Sequence, residues 1–216
     1  VKKLIDPYMG SASSLLAGVE CGLSCYGQDI NPLAVLLAQV KLNYCNSDSF
    51  LQGFTKAFEH ANKCKTVEQK TYFPGIDRWF NPEVIADLSK IQSGIFLVEP
   101  LAVRQFLWIT FAETIRLTSN DRISTYKLHR RRDDEIERRI INPLETFKRL
   151  AQDNIRYLVG FKRMLESKGL LDSNGKYINK IQISIADTKN VIDAGKQDDL
   201  FDLLVTSPPY GDNKST

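Results

Sequence analysis

The chain has 216 residues, of which 43% are hydrophobic and 25% are charged, and its formal net charge at pH 7 is +3. This length and composition suit a globular protein with one sizeable core, or one core and an appendage. The modest charge permits nucleic-acid binding without arguing for it. No apolar run is long enough to span a membrane and no secretory signal opens the chain, so we expect a cytoplasmic protein.

The first forty or so residues predict two strand–helix units. A short apolar run that ends at Ile5, a turn of small residues and apolar positions at helical spacing indicate a strand, a turn and a helix. Gly22 is a good helix stop; a second strand then ends in Asp29, and Pro32 begins a second helix. This order is typical of half of a nucleoside-cofactor site, because a small turn admits the ligand and an acid suits a ribose diol.

Residues 46–180 form a long, mostly helical insertion between the second and third predicted core strands. Helices are predicted to begin at Pro82, Pro100 and Pro143, because proline suits the first turn and apolar residues at helical spacing follow each one. Asn81 is a good N-cap for the first of them. The insertion therefore has apolar faces of its own.

The clearest charge feature of the insertion is the segment 118–132. It is rich in Ser, Asn, Arg, Tyr and Lys, the side chains that contact phosphates and base edges in nucleic-acid complexes. A solvated loop followed by a salt-bridged helix over residues 133–139 explains the same pattern. The residues alone favour neither interpretation.

Two further strands are predicted near the end of the sequence. Residues 181–185 alternate in polarity and are followed by Asp187, and residues 200–205 form an apolar run that predicts a buried strand. Residues 206–210, Thr-Ser-Pro-Pro-Tyr, must end that strand, because two prolines cannot donate ladder hydrogen bonds. Their free carbonyls would lie at the carboxyl end of the strand, where open α/β sheets bind ligands. This corner suits a planar ring that bears an amine, such as a nucleobase.

Together these residues resemble the amino-methyltransferases that use S-adenosylmethionine (SAM) to methylate exocyclic amines of DNA bases. Residues 6–13 resemble the family's cofactor loop, residues 27–32 its ribose-binding strand end, and residues 206–210 its catalytic (S/D/N)-P-P-(Y/F) motif. Asp187 falls where the family has an acid that faces the adenine of SAM. Three or four motifs in the right order, each on the right element, make the resemblance specific.

The resemblance implies an α/β fold, with a Rossmann-like class I methyltransferase sheet and a large, mostly helical insertion. About four of the family's seven or so strands are expected, so we expect the sheet to be incomplete and to be completed by missing segments or by a second chain. The expected division is residues 1–45 for the SAM-binding half of the core, 46–180 for the insertion and possible target-recognition region, and 181–216 for the strands with the catalytic motif.

The resemblance also implies a site-specific DNA methyltransferase of a restriction–modification system, acting on the N4 amine of cytosine in double-stranded DNA. The Ser-Pro-Pro-Tyr form is typical of N4-cytosine enzymes, whereas Asp and Asn forms are more typical of N6-adenine enzymes. The expected cofactor contacts are Asp6, Gly10, Ser11, Ser13, Asp29, Ile30, Asp187 and Thr206. The expected catalytic residues are Ser207, Pro208, Pro209 and Tyr210. The expected DNA contacts are Arg122, Lys127, Arg130 and Arg131.

In the implied mechanism a flipped cytosine stacks on Tyr210. Ser207 and the Pro208 carbonyl accept hydrogen bonds from its amine.

The alternatives to a cytosine N4 enzyme are an enzyme that methylates N6 of adenine, one that methylates guanosine in tRNA, or a non-catalytic DNA-binding or specificity piece of a methyltransferase. Asp29 could instead cap the helix at Pro32, and Asp187 could be a turn acid.

Other residues narrow the chemistry. Ala12 replaces the family's second loop glycine, which is tolerable only if its φ stays negative. None of the four cysteines follows a proline, so the C5-cytosine reaction, which uses a Pro-Cys nucleophile, is set aside. His60 and His129 lie far apart in sequence without ligand partners, so no metal site is expected.

Overall fold

The computed structural model describes residues 1–42, 47–122, 128–189 and 200–207. The chain divides into two compact units. Val1–Cys45 and Gly160–Thr216 form the first, called here the sheet unit, and Asn46–Val159 form the second, the helical unit. No helix among the described residues is both long enough and apolar enough to cross a membrane.

The sheet unit contains a parallel sheet with the strand order β3-β2-β1-β4. Strands β2 and β3 are added on one side of β1, and β4 then pairs with β1 on its other side. The order of the strands therefore reverses at β1, which is the switch point of the topology. This confirms the predicted α/β, Rossmann-like class of fold. The elements are β1 (Lys3–Asp6), α1 (Ser13–Glu20), β2 (Ser24–Asp29), α2 (Pro32–Lys41), β3 (Ile181–Ile185) and β4 (Leu203–Leu204).

Helix α1 packs closely on the sheet through its apolar face. Leu15 and Val19 are fully buried, as is Cys25 of β2 opposite them. A Cβ at Gly27 would lie 2.5 Å from Leu15 Cδ1, so any larger residue at this position would force the Leu15 side chain to shift. The helix ends as predicted: Gly22 has φ +73°, and the next amide returns to the Gly18 carbonyl at 3.0 Å.

The sheet unit extends further back along the chain than the expected boundary at residue 181. Its core includes Phe161 and Leu165, which are almost fully buried against the apolar side chains of α1 and α2. The Tyr177 hydroxyl donates to the Leu23 carbonyl at 2.9 Å. Residues 160–180 therefore pack with the sheet unit, because the last turns of their helix carry an apolar face that the sheet unit buries.

The prediction that residues 200–205 form a buried strand was wrong. Only two residues form β4, and Leu200, Leu204 and Val205 are 74%, 62% and 41% exposed. Strand β4 pairs with β1 on one side. Its other edge has no strand neighbour among the described residues.

The helical unit is built from packed helices. Helix α5 (Pro82–Phe96) approaches α3 (Ser47–Lys63) so closely that a Cβ at Gly94 would lie 2.3 Å from the Ala57 carbonyl oxygen. Phe106 and Phe147 are buried at the centre of the unit. Its elements are α3 (Ser47–Lys63), α4 (Ile76–Trp79), α5 (Pro82–Phe96), α6 (Leu101–Thr118), α7 (Asp133–Glu137) and the part of α8 (Pro143–Ser167) that precedes residue 160.

The predicted helix starts at Pro82, Pro100 and Pro143 are confirmed to within a residue. Asn81 lies at the N-cap of α5, but its side chain does not cap the helix. Its Oδ1 instead accepts a long hydrogen bond from Asn120 Nδ2 at 3.4 Å. A hydrogen bond to a residue distant in sequence thus takes the place of the expected bond to the start of α5.

Candidate functional site

The polar residues at the carboxyl ends of the four strands form one edge of the sheet unit, which we call the strand edge. Because the strands are parallel, their carboxyl ends lie side by side. Three backbone hydrogen bonds, each 3.1 Å long, fix this edge: Ala186 N–H to the Asp29 carbonyl, Met9 N–H to the Gln28 carbonyl, and Val205 N–H to the Ile5 carbonyl. Asp187, Asp29, the turn after Asp6 and Thr206 therefore follow one another along the same edge.

The Asp6 carboxylate organises the turn between β1 and α1. Asp6 is only 4% exposed. Its Oδ1 accepts from the Tyr8 N–H at 3.0 Å, and its Oδ2 accepts a short hydrogen bond from the Ser14 hydroxyl. Both oxygens thus hold the loop to the start of α1, a role that the sequence did not reveal because Ser14 lies outside the motif.

The Asp29 carboxylate joins the turn to the end of β2. Its Oδ2 accepts from the Gly10 N–H at 2.9 Å and its Oδ1 from the Asn31 N–H at 2.8 Å. Asn31, and not Asp29, caps α2, because its Oδ1 accepts from the Leu33 N–H at 3.0 Å. A carboxylate oxygen has two lone pairs, so Asp29 retains capacity for a further donor.

The turn itself contains two left-handed residues. Gly10 has φ +46°, and no heavy atom lies within 4 Å of the position that a Cβ would take, so open space lies beside its backbone. Ala12 has φ +63° and is fully buried. The condition that Ala12 keeps a negative φ is therefore not met, and the left-handed conformation costs about 1–2 kcal/mol. Such strain persists where the surroundings determine the conformation, often at functional sites.

Lys41 is part of the same edge, although the sequence did not single it out. Its ammonium donates to the Ser11 carbonyl at 2.8 Å, which ties the end of α2 to the turn. Burial lowers the pKa of Lys41. The Ser11 and Ser13 hydroxyls are exposed and lie 3.3 Å apart. The turn thus exposes two hydroxyls to solvent, while the Lys41 ammonium holds its backbone at the Ser11 carbonyl.

The two outer strands contribute less constrained groups. Asp187 Oδ1 accepts from the Lys189 N–H at 2.9 Å, so this acid also forms a turn. The Thr206 Oγ1 is buried without a hydrogen-bond partner among the described residues, and Ser207 is exposed. Ile30 is 67% exposed. The other expected catalytic residues, Pro208, Pro209 and Tyr210, lie outside the described residues.

Residues 119–122 and 128–132 of the helical unit form what we call the basic stem. Asp121 and Arg130 form an antiparallel bridge, and the His129 N–H donates to Asp121 Oδ1 at 2.7 Å. Arg122 makes two hydrogen bonds of 3.1 Å to the Glu135 carboxylate. Arg130 pairs with Asp133 at 2.7 Å. Lys127 lies outside the described residues.

The Arg131 side chain differs from its neighbours in the basic stem. Its backbone N–H donates to the Asn120 carbonyl at 2.8 Å, while its Nε is buried without a hydrogen-bond partner among the described residues. Arg139 lies nearby and donates to the Ser119 carbonyl at 2.7 Å and to the Leu117 carbonyl at 3.1 Å. Burial, and then the charge of Arg131, lower the pKa of Arg139.

The described cysteines, Cys21, Cys25 and Cys64, are free thiols. Burial raises the pKa of Cys25 to about 12, so this thiol stays protonated near neutral pH. No group of three potential metal ligands occurs among the described residues. The polar groups described at the strand edge are carboxylates, hydroxyls, backbone amides and the Lys41 ammonium.

Comparison with known proteins identifies one clear similarity. The chain is 33% identical, over 227 aligned positions, to the type II methyltransferase M.MvaI of Kocuria varians. The alignment covers the whole chain but 48% of that relative, so the chain spans about half the length of the protein that it matches. No family model and no solved structure matches the chain.

Proposed function

We propose that this chain, a relative of the DNA methyltransferases as its motifs predicted, carries the cofactor-binding and catalytic edge of a SAM-dependent enzyme that methylates DNA. The single observation that carries the proposal is the strand edge, where Asp29 holds the Gly10 amide and Thr206 and Ser207 follow the neighbouring strand. The type II name of the relative supports a place in a restriction–modification system.

The residues at this edge fit SAM. The open space beside Gly10 would admit a ligand to within contact of the backbone, and a side chain there would fill that space. Asp29 can accept from ribose hydroxyls with its remaining lone pairs. Asp187 has one carboxylate oxygen outside its turn for the adenine amine. Bound SAM would supply an electrophilic methyl group.

The chain's own residues then have distinct tasks. Asp6 and Lys41 keep the turn in place, because each bonds to its backbone. Thr206 has a buried hydroxyl available for a ligand. Ser207, which is exposed at the end of the strand, would accept a hydrogen bond from the exocyclic amine of the target base. Catalysis would rest on positioning and electrostatics, without a covalent intermediate.

The preferred target is the N4 amine of cytosine, in double-stranded DNA with the target base flipped out of the stack. The argument is the serine at position 207, since the Ser-Pro-Pro-Tyr form is typical of N4-cytosine enzymes. The alternatives are N6 of adenine, or a DNA-binding piece without turnover. The helical unit is the proposed target-recognition region, because it follows the cofactor turn and carries the basic stem.

The test uses Ser207→Ala and Tyr210→Ala in the intact protein. We expect both variants to bind SAM as tightly as the wild type by calorimetry and to lose most methyl transfer to DNA, because these residues would hold the base and not the cofactor. Mass spectrometry of digested DNA distinguishes N4-methylcytosine from N6-methyladenine.

Ser167→Ala is a suitable control, because within the described part of the chain its hydroxyl bonds only to the Met164 carbonyl at the end of α8. Near-wild-type methylation by both Ser207→Ala and Tyr210→Ala would refute the catalytic assignment. Absence of SAM binding by the wild type would instead favour the DNA-binding piece.

A further inference from the structure

The arginines of the basic stem are not equivalent, and this bears on how DNA would be held. Arg122 is neutralised by Glu135 and Arg130 by Asp133. Arg132 lies within 3.3 Å of Asp134 and 3.7 Å of Glu135. The first turn of α7 thus supplies a carboxylate to each of these three cations.

Arg131 is the exception within the described part of the stem. No carboxylate lies within salt-bridge distance of its guanidinium among the described residues. Its Nε has lost contact with water and has no protein acceptor there. An unpaired, partly desolvated charge is costly in the free protein and gains most from an anion.

Arg139 adds to this excess of positive charge. Its guanidinium is fixed by the Ser119 and Leu117 carbonyls at the carboxyl end of α6, which satisfies its donors without supplying a full negative charge. The backbone of Arg131 is bonded to Asn120, the residue next to Ser119. Arg131, through its backbone, and Arg139, through its guanidinium, are therefore both bonded to residues 117–120, and the charge of Arg131 lowers the pKa of Arg139.

We propose that Arg131, with Arg139 nearby, forms a phosphate-binding site for the DNA backbone, and that Arg122 and Arg130 instead hold the stem together. The inference rests on the proposed function, because it takes DNA as the partner. Among the described members of the expected set of DNA contacts, Arg122, Arg130 and Arg131, it selects the one guanidinium that has no carboxylate partner among the described residues.

A structural role for Arg131 is the rival explanation. The Asn120 Oδ1 is also buried without a described partner, so one water molecule could join it to Arg131 Nε. In that case Arg131 would stabilise the stem and would not contribute to DNA affinity. The two roles differ in their salt dependence, because a phosphate contact releases counterions and an internal water bridge does not.

The experiment measures the affinity of the intact protein for a duplex oligonucleotide over a range of salt concentrations. We expect Arg131→Ala to reduce the slope of log affinity against log salt by about one, and Arg131→Lys to retain most of it. Arg122→Ala and Arg130→Ala are charge-matched controls and should leave the slope unchanged. Thermal unfolding of each variant separates loss of binding from loss of fold.

An unchanged slope for Arg131→Ala with a lowered unfolding temperature would overturn the phosphate site in favour of the water bridge. An equal loss of slope in Arg122→Ala and Arg130→Ala would also overturn it. If SAM and duplex DNA still bind in either case, the proposed function stands and only this inference fails. If the wild type binds no duplex, both fail together.

Discussion

The strand edge of the sheet unit and the basic stem of the helical unit use charge in opposite ways. At the strand edge, the carboxylates of Asp6 and Asp29 accept from backbone amides of the turn. In the basic stem, arginines meet carboxylates, as Arg122 meets Glu135. The first arrangement fixes backbone and leaves lone pairs for a ligand. In the second, the charges of the paired side chains cancel, and little net positive charge remains to bind a partner.

This difference shows that the density of charge in a sequence does not measure the charge available for binding. The segment around the basic stem has the more conspicuous pattern, yet most of its described cations are paired internally. The strand edge has few charged residues, and its carboxylates are held in place by short-range contacts. The predictions below test whether the two kinds of arrangement behave differently.

The largest effect is expected from Asp29→Ala. The change removes the acceptor for the Gly10 amide and the proposed acceptor for the ribose, and hydrogen bonds to a charged group are worth about 1.5–3 kcal/mol. We therefore expect SAM affinity, measured by calorimetry, to fall about ten- to a hundredfold.

Asp172→Ala is the matched control for this change. Asp172 also accepts from two backbone amides of a turn in the sheet unit, those of Asn174 and Lys176 at 2.8 and 2.9 Å. It should lose some stability and keep SAM affinity. Equal effects of the two substitutions on SAM binding would mean that Asp29 acts only through folding.

A smaller effect is expected from Gly10→Ala, with Gly169→Ala as its partner. Both glycines have positive φ, and at neither would a Cβ meet an atom within 4 Å. Each substitution should lower the free energy of unfolding by about 1 kcal/mol, since alanine is strained there. Only Gly10→Ala should also weaken SAM binding, because its methyl group enters the open space beside the turn. Undiminished SAM affinity in Gly10→Ala would place the cofactor elsewhere.

The smallest effect concerns two carboxylates with lowered pKa values. The backbone amides of Lys2 and then Lys3 lower the pKa of Asp202. The pKa of Glu135 is lowered first by the Arg132 backbone amide and then by the Arg122 side chain. Each contributes stability above its unfolded pKa and loses it as the pH falls through its folded pKa. Nearby charges also lower both pKa values, those of the N-terminus and Lys3 at Asp202 and those of Arg122 and Arg132 at Glu135. Of the two carboxylates, Glu135 is the one hydrogen-bonded to a charged side chain, so added salt should raise its pKa more.

Carboxyl titration by NMR at low and high salt measures both pKa values. Asp202→Asn and Glu135→Gln identify the two signals and should each flatten the acid limb of the stability curve. A larger salt response at Asp202 would contradict the distinction between amide-bound and ion-paired carboxylates.

Much of the fold could be predicted because it follows from local patterns. The helices at Pro32 and Pro82 combine apolar periodicity with proline in the first turn, and both signals act within a few residues. The ends of β2 and β3 could likewise be predicted, because Asp29 is the last residue of the first and Asp187 closely follows the second. Their common position at one edge follows from the parallel sheet.

The errors came from contacts between distant residues. Asn81 has the sequence of a helix cap but bonds to Asn120. Residues 200–205 are apolar enough for a buried strand, but burial depends on a neighbour, and β4 has a described strand only on the β1 side. Ala12 adopts the left-handed conformation that the alanine itself disfavours, in a turn that Asp29 and Lys41 hold through the backbone of its neighbours.

The sequence by itself determined the class of fold and the order of the motifs, since these depend on short patterns and their order along the chain. Tertiary structure alone decided which polar groups are occupied. Asp6 and Asp29 are engaged with the turn, Lys41 reaches the Ser11 carbonyl, and the basic stem is largely neutralised by α7. The physical reason is that a hydrogen bond or ion pair depends on distances of a few ångströms between particular atoms, which the folded chain sets and the order of residues does not.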